Sequence, residues 1–227
     1  MIAPAAVPSE DLLGKPLALV VALALVSLLP FVFMSLTSFV KISTVLQIAK
    51  SAIGAQSVPS NTVVMALAAA LTVLAMAPVG EKIAAQAAPL VSGKPLETSV
   101  LIQKGVEAFR EPLRGFLSAN ASELEKSRFL KVAKEARAPE EREKISSNEF
   151  PVLIPAFLVT ELTEAFAVGF LIYLPFLVID LVVANVLLAL GMQMLNPTQV
   201  SLPFKLLLFV AINGWGLLSQ ALVSGYR

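Results

Sequence analysis

The chain contains no cysteine and no histidine among its 227 residues. Disulfides, thiolate nucleophiles, Cys/His zinc sites and imidazole bases are therefore excluded together. Aspartate is nearly absent as well: only Asp11 and Asp180 occur. An intramembrane aspartyl protease needs two aspartates sharing one site, and Asp11 lies outside every apolar run. No G-x-x-x-x-G-K-[ST] run occurs, which removes a P-loop ATPase. Charge is scarce at 15% of residues, against about 25% in an ordinary soluble domain. The formal net charge of +1 gives no nucleic-acid footprint. No catalytic residue, cofactor or metal ligand is expected.

What fills the chain instead is hydrophobic sequence: 57% of residues are apolar and the mean hydropathy is +0.82. Four runs stand out: Leu17–Val40, Thr62–Val79, Val152–Leu195 and Leu202–Val223. About 20 residues cross a hydrocarbon core, so the first, second and fourth each suit one crossing. The third, at 1.5 Å per residue, would reach about 66 Å, too long for a single one. Pro175 is expected to kink or divide it, and Pro30 to kink the first run or restart a helix there; Pro155 suits a first helical turn. Thr62–Val79 is rich in alanine, which either lets helices approach closely or simply favours helix. The last run carries Ser201 as a candidate N-cap.

Charge is concentrated between Glu81 and Glu149, which hold 12 of the 17 Lys/Arg and 11 of the 16 Asp/Glu. The expected organisation is an N-terminal tail (1–16), a first hydrophobic helical half (17–80), a soluble helical insert (81–151) and a second hydrophobic half (152–227). The tail has no basic n-region, so a removable signal peptide is not expected. Residues 41–61 read as a short polar connection, with Gly54 stopping a helix and Ser60 or Asn61 capping the next. Its Lys41 and Lys50 favour the cytoplasm; with four crossings, both termini and the insert then face the other, periplasmic side. Within the insert, Ile102, Val106, Phe109, Leu113 and Phe116 are spaced 4, 3, 4, 3, an amphipathic stripe interrupted by Pro112. It forms either the insert's own core or a face for a neighbouring subunit. A second helix is expected over about 122–137.

The apolar runs nevertheless hold Lys41, Glu161, Glu164, Asp180 and Lys205, along with Asn185, Gln193 and Asn213. A charge at mid-span costs roughly 2.5–3.5 kcal/mol on insertion scales, so such groups pair with one another or line a wet interior. Glu161 and Glu164 lie one turn apart on one helix face. Lys205 is expected to pair with Glu161, Glu164 or Asp180, across a subunit boundary. Lys41, at the end of the first run, either snorkels or takes a functional role. Asn185 and Asn213 are candidate polar interface residues.

Six runs carry a resemblance: Pro30-Phe-Val-Phe-Met-Ser-Leu-Thr-Ser-Phe-Val-Lys-Ile42, Ala52-Ile-Gly-Ala-Gln56, Met76-Ala-Pro-Val79, Glu161-Leu-Thr-Glu-Ala-Phe-Ala-Val-Gly-Phe-Leu-Ile-Tyr-Leu-Pro-Phe-Leu-Val-Ile-Asp180, Gly191-Met-Gln-Met-Leu-Asn-Pro197 and Ser201-Leu-Pro-Phe-Lys-Leu-Leu-Leu-Phe209. In this order they resemble the export-gate family of bacterial type III secretion, the FliP/SctR family, on its injectisome branch. The resemblance covers about 17–80 and 151–226.

It implies an all-α fold of kinked hydrophobic helical hairpins flanking the insert and assembling as a ring-like or helical homo-oligomer, a pentamer. SctS- and SctT-like subunits are implied as partners, with SctU- and SctV-like proteins beside them. The assembly would sit in the bacterial inner membrane and conduct unfolded secreted proteins. Much of the apolar sequence would then lie raised out of the bilayer plane, against other subunits. Met192, Gln193 and Met194 fall where the family has a methionine-rich gasket around the closed pore, although Gln193 stands where a third methionine is common. Asn213 stands where relatives commonly carry an acid. A small-solute channel or transporter is the alternative, but the two halves show no internal repeat of the kind transporters carry.

Overall fold

The computed structural model describes residues 11–54, 58–92 and 98–226, and these are helical with no strand among them. Residues 1–10 of the tail, and Ala55 and Gln56 of the second resembling run, lie outside the described residues. The helices are α1 (Asp11–Leu36), α2 (Phe39–Ile53), α3 (Asn61–Ser92), α4 (Thr98–Asn120), α5 (Glu123–Glu135), α6 (Phe150–Ala189), α7 (Pro197–Ala211) and α8 (Gly214–Ser224). A single 3₁₀ segment, Pro139–Lys144, precedes α6.

The first apolar run breaks later than its proline suggests. Helix α1 passes through Pro30 and ends at Thr37–Ser38, where α2 leaves at 72° to the segment Val26–Leu36. Hydroxyls explain the position. Thr37 Oγ1 donates to the Phe33 carbonyl (2.5 Å) and accepts from the Phe39 N–H (3.4 Å), competing with the helical ladder. The 41–61 connection is mostly helix α2. Ile42, Val45, Leu46, Ala49 and Ile53 recur at helical spacing on one buried face, while exposed Gln47 and Ser51 lie on the other. Gly54 does end it, with φ +82° and its N–H on the Ser51 carbonyl. The Ser60 hydroxyl accepts from the Val63 N–H (3.3 Å) at the start of α3.

Helix α6 is not divided at its proline. It runs unbroken for 40 residues through Pro155 and Pro175. Proline at 175 removes one donor, for the Leu171 carbonyl; in apolar surroundings no water competes for the hydrogen bonds on either side. A rod of that length measures about 60 Å, twice a bilayer core, so it cannot lie wholly in hydrocarbon along the membrane normal. Helices α3 and α6 are each long and apolar enough to cross a membrane. The bent pairs α1–α2 and α7–α8 add up to two more.

Three apolar clusters hold these helices together. Phe39, Ile42, Val45 and Leu46 of α2 meet Val64 and Ala68 of α3, Ala165 of α6 and Leu222 of α8. Val79 of α3 meets Phe116 and Leu117 of α4 and Leu153, Ala156 and Phe157 of α6. Ala52 and Ile53 meet Phe176 and Phe209. Among the described residues the buried side chains of the insert thus join clusters shared with α3 and α6. Its stripe divides: Phe116 is buried against α3 and α6, whereas Val106 and Phe109 remain more than half exposed. Helices α4 and α5 each pack on α6, which supplies the wall that neither offers the other. At its far end Ser122 caps α5, accepting from the Glu125 N–H (3.4 Å), and the Ser122 N–H donates to Thr160 Oγ1 of α6 (3.0 Å).

Helices α2 and α6 make the most extensive contact of any pair among the described residues. A Cβ at Gly169 would lie 2.5 Å from Ile48 Cδ1 and 3.2 Å from Ile48 Cβ. Gly169→Ala is therefore expected to destabilise the purified protein by about 1–3 kcal/mol, the usual cost of overpacking. Adding Ile48→Ala should restore part of that loss. Chemical unfolding in detergent micelles measures both.

Candidate functional site

Two buried ionic groups and one exposed turn organise the polar residues of the helical halves. The first group lies where α2 and α6 meet. Lys41 Nζ sits 2.5 Å from Glu164 Oε2 and 3.8 Å from Glu161 Oε1. Glu161 is 1% exposed, Lys41 12% and Glu164 52%, so the lysine bridges a buried acid and a wet one. Lys41 does not simply snorkel. Tyr226, near the chain's end, completes the group: its hydroxyl donates to Glu161 Oε2 and lies 3.3 Å from the Ser38 carbonyl, with Lys41 Nζ 5.0 Å from the ring centroid. Burial, and then the facing Glu161, push the Tyr226 phenol well above its usual pKa, so it stays a donor.

The second group joins α6 to α7. Lys205 is 3% exposed and its Nζ lies 2.6 Å from Asp180 Oδ2 and 3.4 Å from the Ala52 carbonyl at the end of α2. Asp180 Oδ1 accepts from Ser201 Oγ (2.5 Å). Both partners belong to one chain, not to two subunits as the sequence led us to expect. The reason is geometric: α7 folds back along α6 after a short turn, which brings position 205 beside position 180. Ser201 is not the N-cap of α7. That role falls to Asn196, whose side chain accepts from the Thr198 N–H (3.0 Å), with Pro197 in the first turn.

The turn between α6 and α7 carries Met192, Gln193 and Met194. Gly191 takes φ +72°, the Gly191 N–H donates to the Leu188 carbonyl (3.1 Å) and the Met192 N–H to the Leu187 carbonyl (2.9 Å). That bond pair is the Schellman closure of a helix, and it needs a residue tolerant of left-handed backbone. Stopped there, the chain turns its next three side chains outward: Met194 is fully exposed and Met192 is 47% exposed. Asn185 and Asn213 are exposed too, Asn213 with φ +52° in the α7–α8 corner. No group of three metal-ligating side chains occurs among the described residues.

Sequence reasoning missed Tyr226 and Ser38 as parts of the first group, and Thr160 as the insert's contact on α6. Tyr226 follows the last apolar run and bears no pattern; Ser38 and Thr160 are uncharged and drew no notice. The first group makes a graded forecast. Lys41→Met leaves Glu161 buried without its cation and should cost about 3–5 kcal/mol. Glu164→Gln, at a half-exposed position, should cost under about 1 kcal/mol. Paired unfolding curves in the same detergent check this ranking.

Comparison with known proteins follows the same segments. A sequence model described as the FliP family matches residues 22–222. The chain is 40% identical over 209 residues to the hypersensitivity response secretion protein HrcR of Ralstonia nicotianae, covering 92% of this chain and 96% of that protein. It is 41% identical over 208 residues to the Yop proteins translocation protein R of Yersinia pseudotuberculosis, covering 92% and 95%. The flagellar biosynthetic protein FliP of Agrobacterium fabrum is 37% identical over 206 residues, covering 90% and 81%. The match thus takes in the α2 and α6 acid–base group, the Asp180–Lys205 pair and the methionine turn alike, and the chain belongs to the FliP family.

Proposed function

We propose that this chain is a non-enzymatic subunit of a type III secretion export gate in the bacterial inner membrane. Several copies, five by the family resemblance, surround a pore for unfolded proteins, with SctS- and SctT-like subunits in the same assembly and SctU- and SctV-like proteins beside it. Met192, Gln193 and Met194 from each copy form the seal on the common axis. The second helical half, 152–227, carries that seal, and the insert, 81–151, lies on the periplasmic side.

One observation carries the reading: a short, rigidly closed turn presents two methionines and a glutamine outward from the α6–α7 hairpin. A water-facing turn gains nothing from a bare Met194. Copies arranged around an axis do, because unbranched thioether chains repack around varied polypeptides and close again behind them. Gln193 adds a neutral hydrogen-bonding group to each copy, and exposed Asn185 and Asn213 offer further ones to neighbours. The wide apolar surface supports the same reading. Phe166, Phe170, Leu171, Val178, Leu181 and Val182 of α6 stand exposed on the isolated chain, far more than a water-facing helix carries.

The seal is tested by shortening its side chains. Met192→Ala with Met194→Ala, in an assembled gate, is expected to raise leakage of small ions at rest by about tenfold or more while protein export persists. Gln193→Met should lower any residual leak. Conductance of the purified complex in planar bilayers reads both. Unchanged conductance in the double alanine variant would remove this turn from the pore.

A further inference from the structure

We propose that Tyr226 is a two-sided latch: its hydroxyl on Glu161 and its ring on Phe116 bind the chain's C-terminal end, the bend at Thr37–Ser38 and the α4–α5 corner of the insert into one unit. This inference does not depend on the export reading.

Each side of the latch rests on its own contacts. On the polar side, the hydroxyl donates to Glu161 Oε2 and sits 3.3 Å from the carbonyl of Ser38, the residue at which α1 gives way to α2. The Ser38 carbonyl also accepts the Ile42 N–H (3.2 Å), the first hydrogen bond of α2. On the apolar side, the ring stacks on Phe116 with centroids 6.0 Å apart and planes at 26°, and Phe116 in turn meets Phe157 edge-on at 5.6 Å. Tyr226 packs against both the α2–α3 cluster and the α4–α6 cluster.

The placement makes it a latch rather than ordinary filler. Tyr226 follows α8 directly, one residue beyond Gly225, and it belongs to no helix. A cavity of about 430 Å³, lined by Pro78, Val79, Lys82, Glu111 and Phe116, opens beside its ring. The phenol thus has room to leave without displacing a core side chain. Once it leaves, Glu161 keeps only the longer 3.8 Å contact to Lys41, and Phe116 loses one face of its packing. The bend and the insert corner then loosen together, because Tyr226 touches both.

Hydrogen exchange on the purified full-length chain in detergent tests this. Tyr226→Ala should speed amide exchange about tenfold both at 38–42 and at 116–121. Tyr226→Phe keeps the stack and should speed exchange at 38–42 alone. Wild-type exchange at 38–42 in Tyr226→Phe would overturn the proposal, as would an equal rise at 197–206 of α7 in either variant, which would mean general loosening. The phenylalanine variant decides the matter by itself if the alanine variant does not fold.

Discussion

A lysine ammonium cannot be left unpaired among apolar helices, and in this chain that constraint falls on Lys205. Its position beside Asp180 fixes how α7 lies along α6, and its second contact, to the Ala52 carbonyl, brings the end of α2 to the same place. Three helices are thereby set relative to one another by a single cation. The turn between α6 and α7 inherits its position from that arrangement, because the chain must reverse within the few residues after Ala189. Gly191 makes the reversal sharp, and the methionines are what the reversal displays. Chemistry at the turn follows from electrostatics a few helical turns away.

The same logic governs the first group. Lys41, Glu161, Glu164 and Tyr226 satisfy each other at the α2–α6 contact, close to where Ser122 of the insert meets Thr160. The charges are thus settled within one chain. The apolar surface is not: one face of α6 packs inward through Leu153, Phe157, Glu161, Ala165 and Gly169, while Phe166, Phe170 and Val182 face out. A subunit with satisfied charges and bare apolar flanks is suited to join copies of itself or to meet lipid, since burial of such flanks contributes about 25 cal/mol per Å². Helix α6 is too long to do only the second.

Much of this was legible in the sequence. Composition and apolar runs announced helices, Gly54 ended a helix, and the resembling runs gave the family. What could not be read was tertiary in origin. Pro30 and Pro175 each read as a kink or a break; the helix break in the first run falls at Thr37–Ser38, where hydroxyls compete for the backbone, and α6 is not divided at its proline. Residues 41–61 looked like a connection because Lys41, Gln47 and Lys50 dilute an apolar face that only the folded helix reveals. Lys205 was expected to look outside the chain for its acid; the fold-back of α7 supplied one inside. Tyr226 could not have been found from spacing, since its partners lie 65 and 188 residues away.

The central claim is that Lys205 and Asp180 act as one unit that sets α7 on α6, and a double-mutant cycle tests it most directly. Stability of the purified chain in detergent would be measured for Lys205→Met, Asp180→Leu and the two together. Ser201 keeps a partner in every case, because its hydroxyl also reaches the Thr198 carbonyl at 3.1 Å. The account predicts that Lys205→Met and Asp180→Leu each cost about 2–4 kcal/mol, somewhat below a fully buried pair because Asp180 is 29% exposed, and that the double change recovers most of it, because an apolar pair replaces an ionic one without an orphaned charge. Additive losses, with the double variant as weak as the sum of its parts, would contradict it.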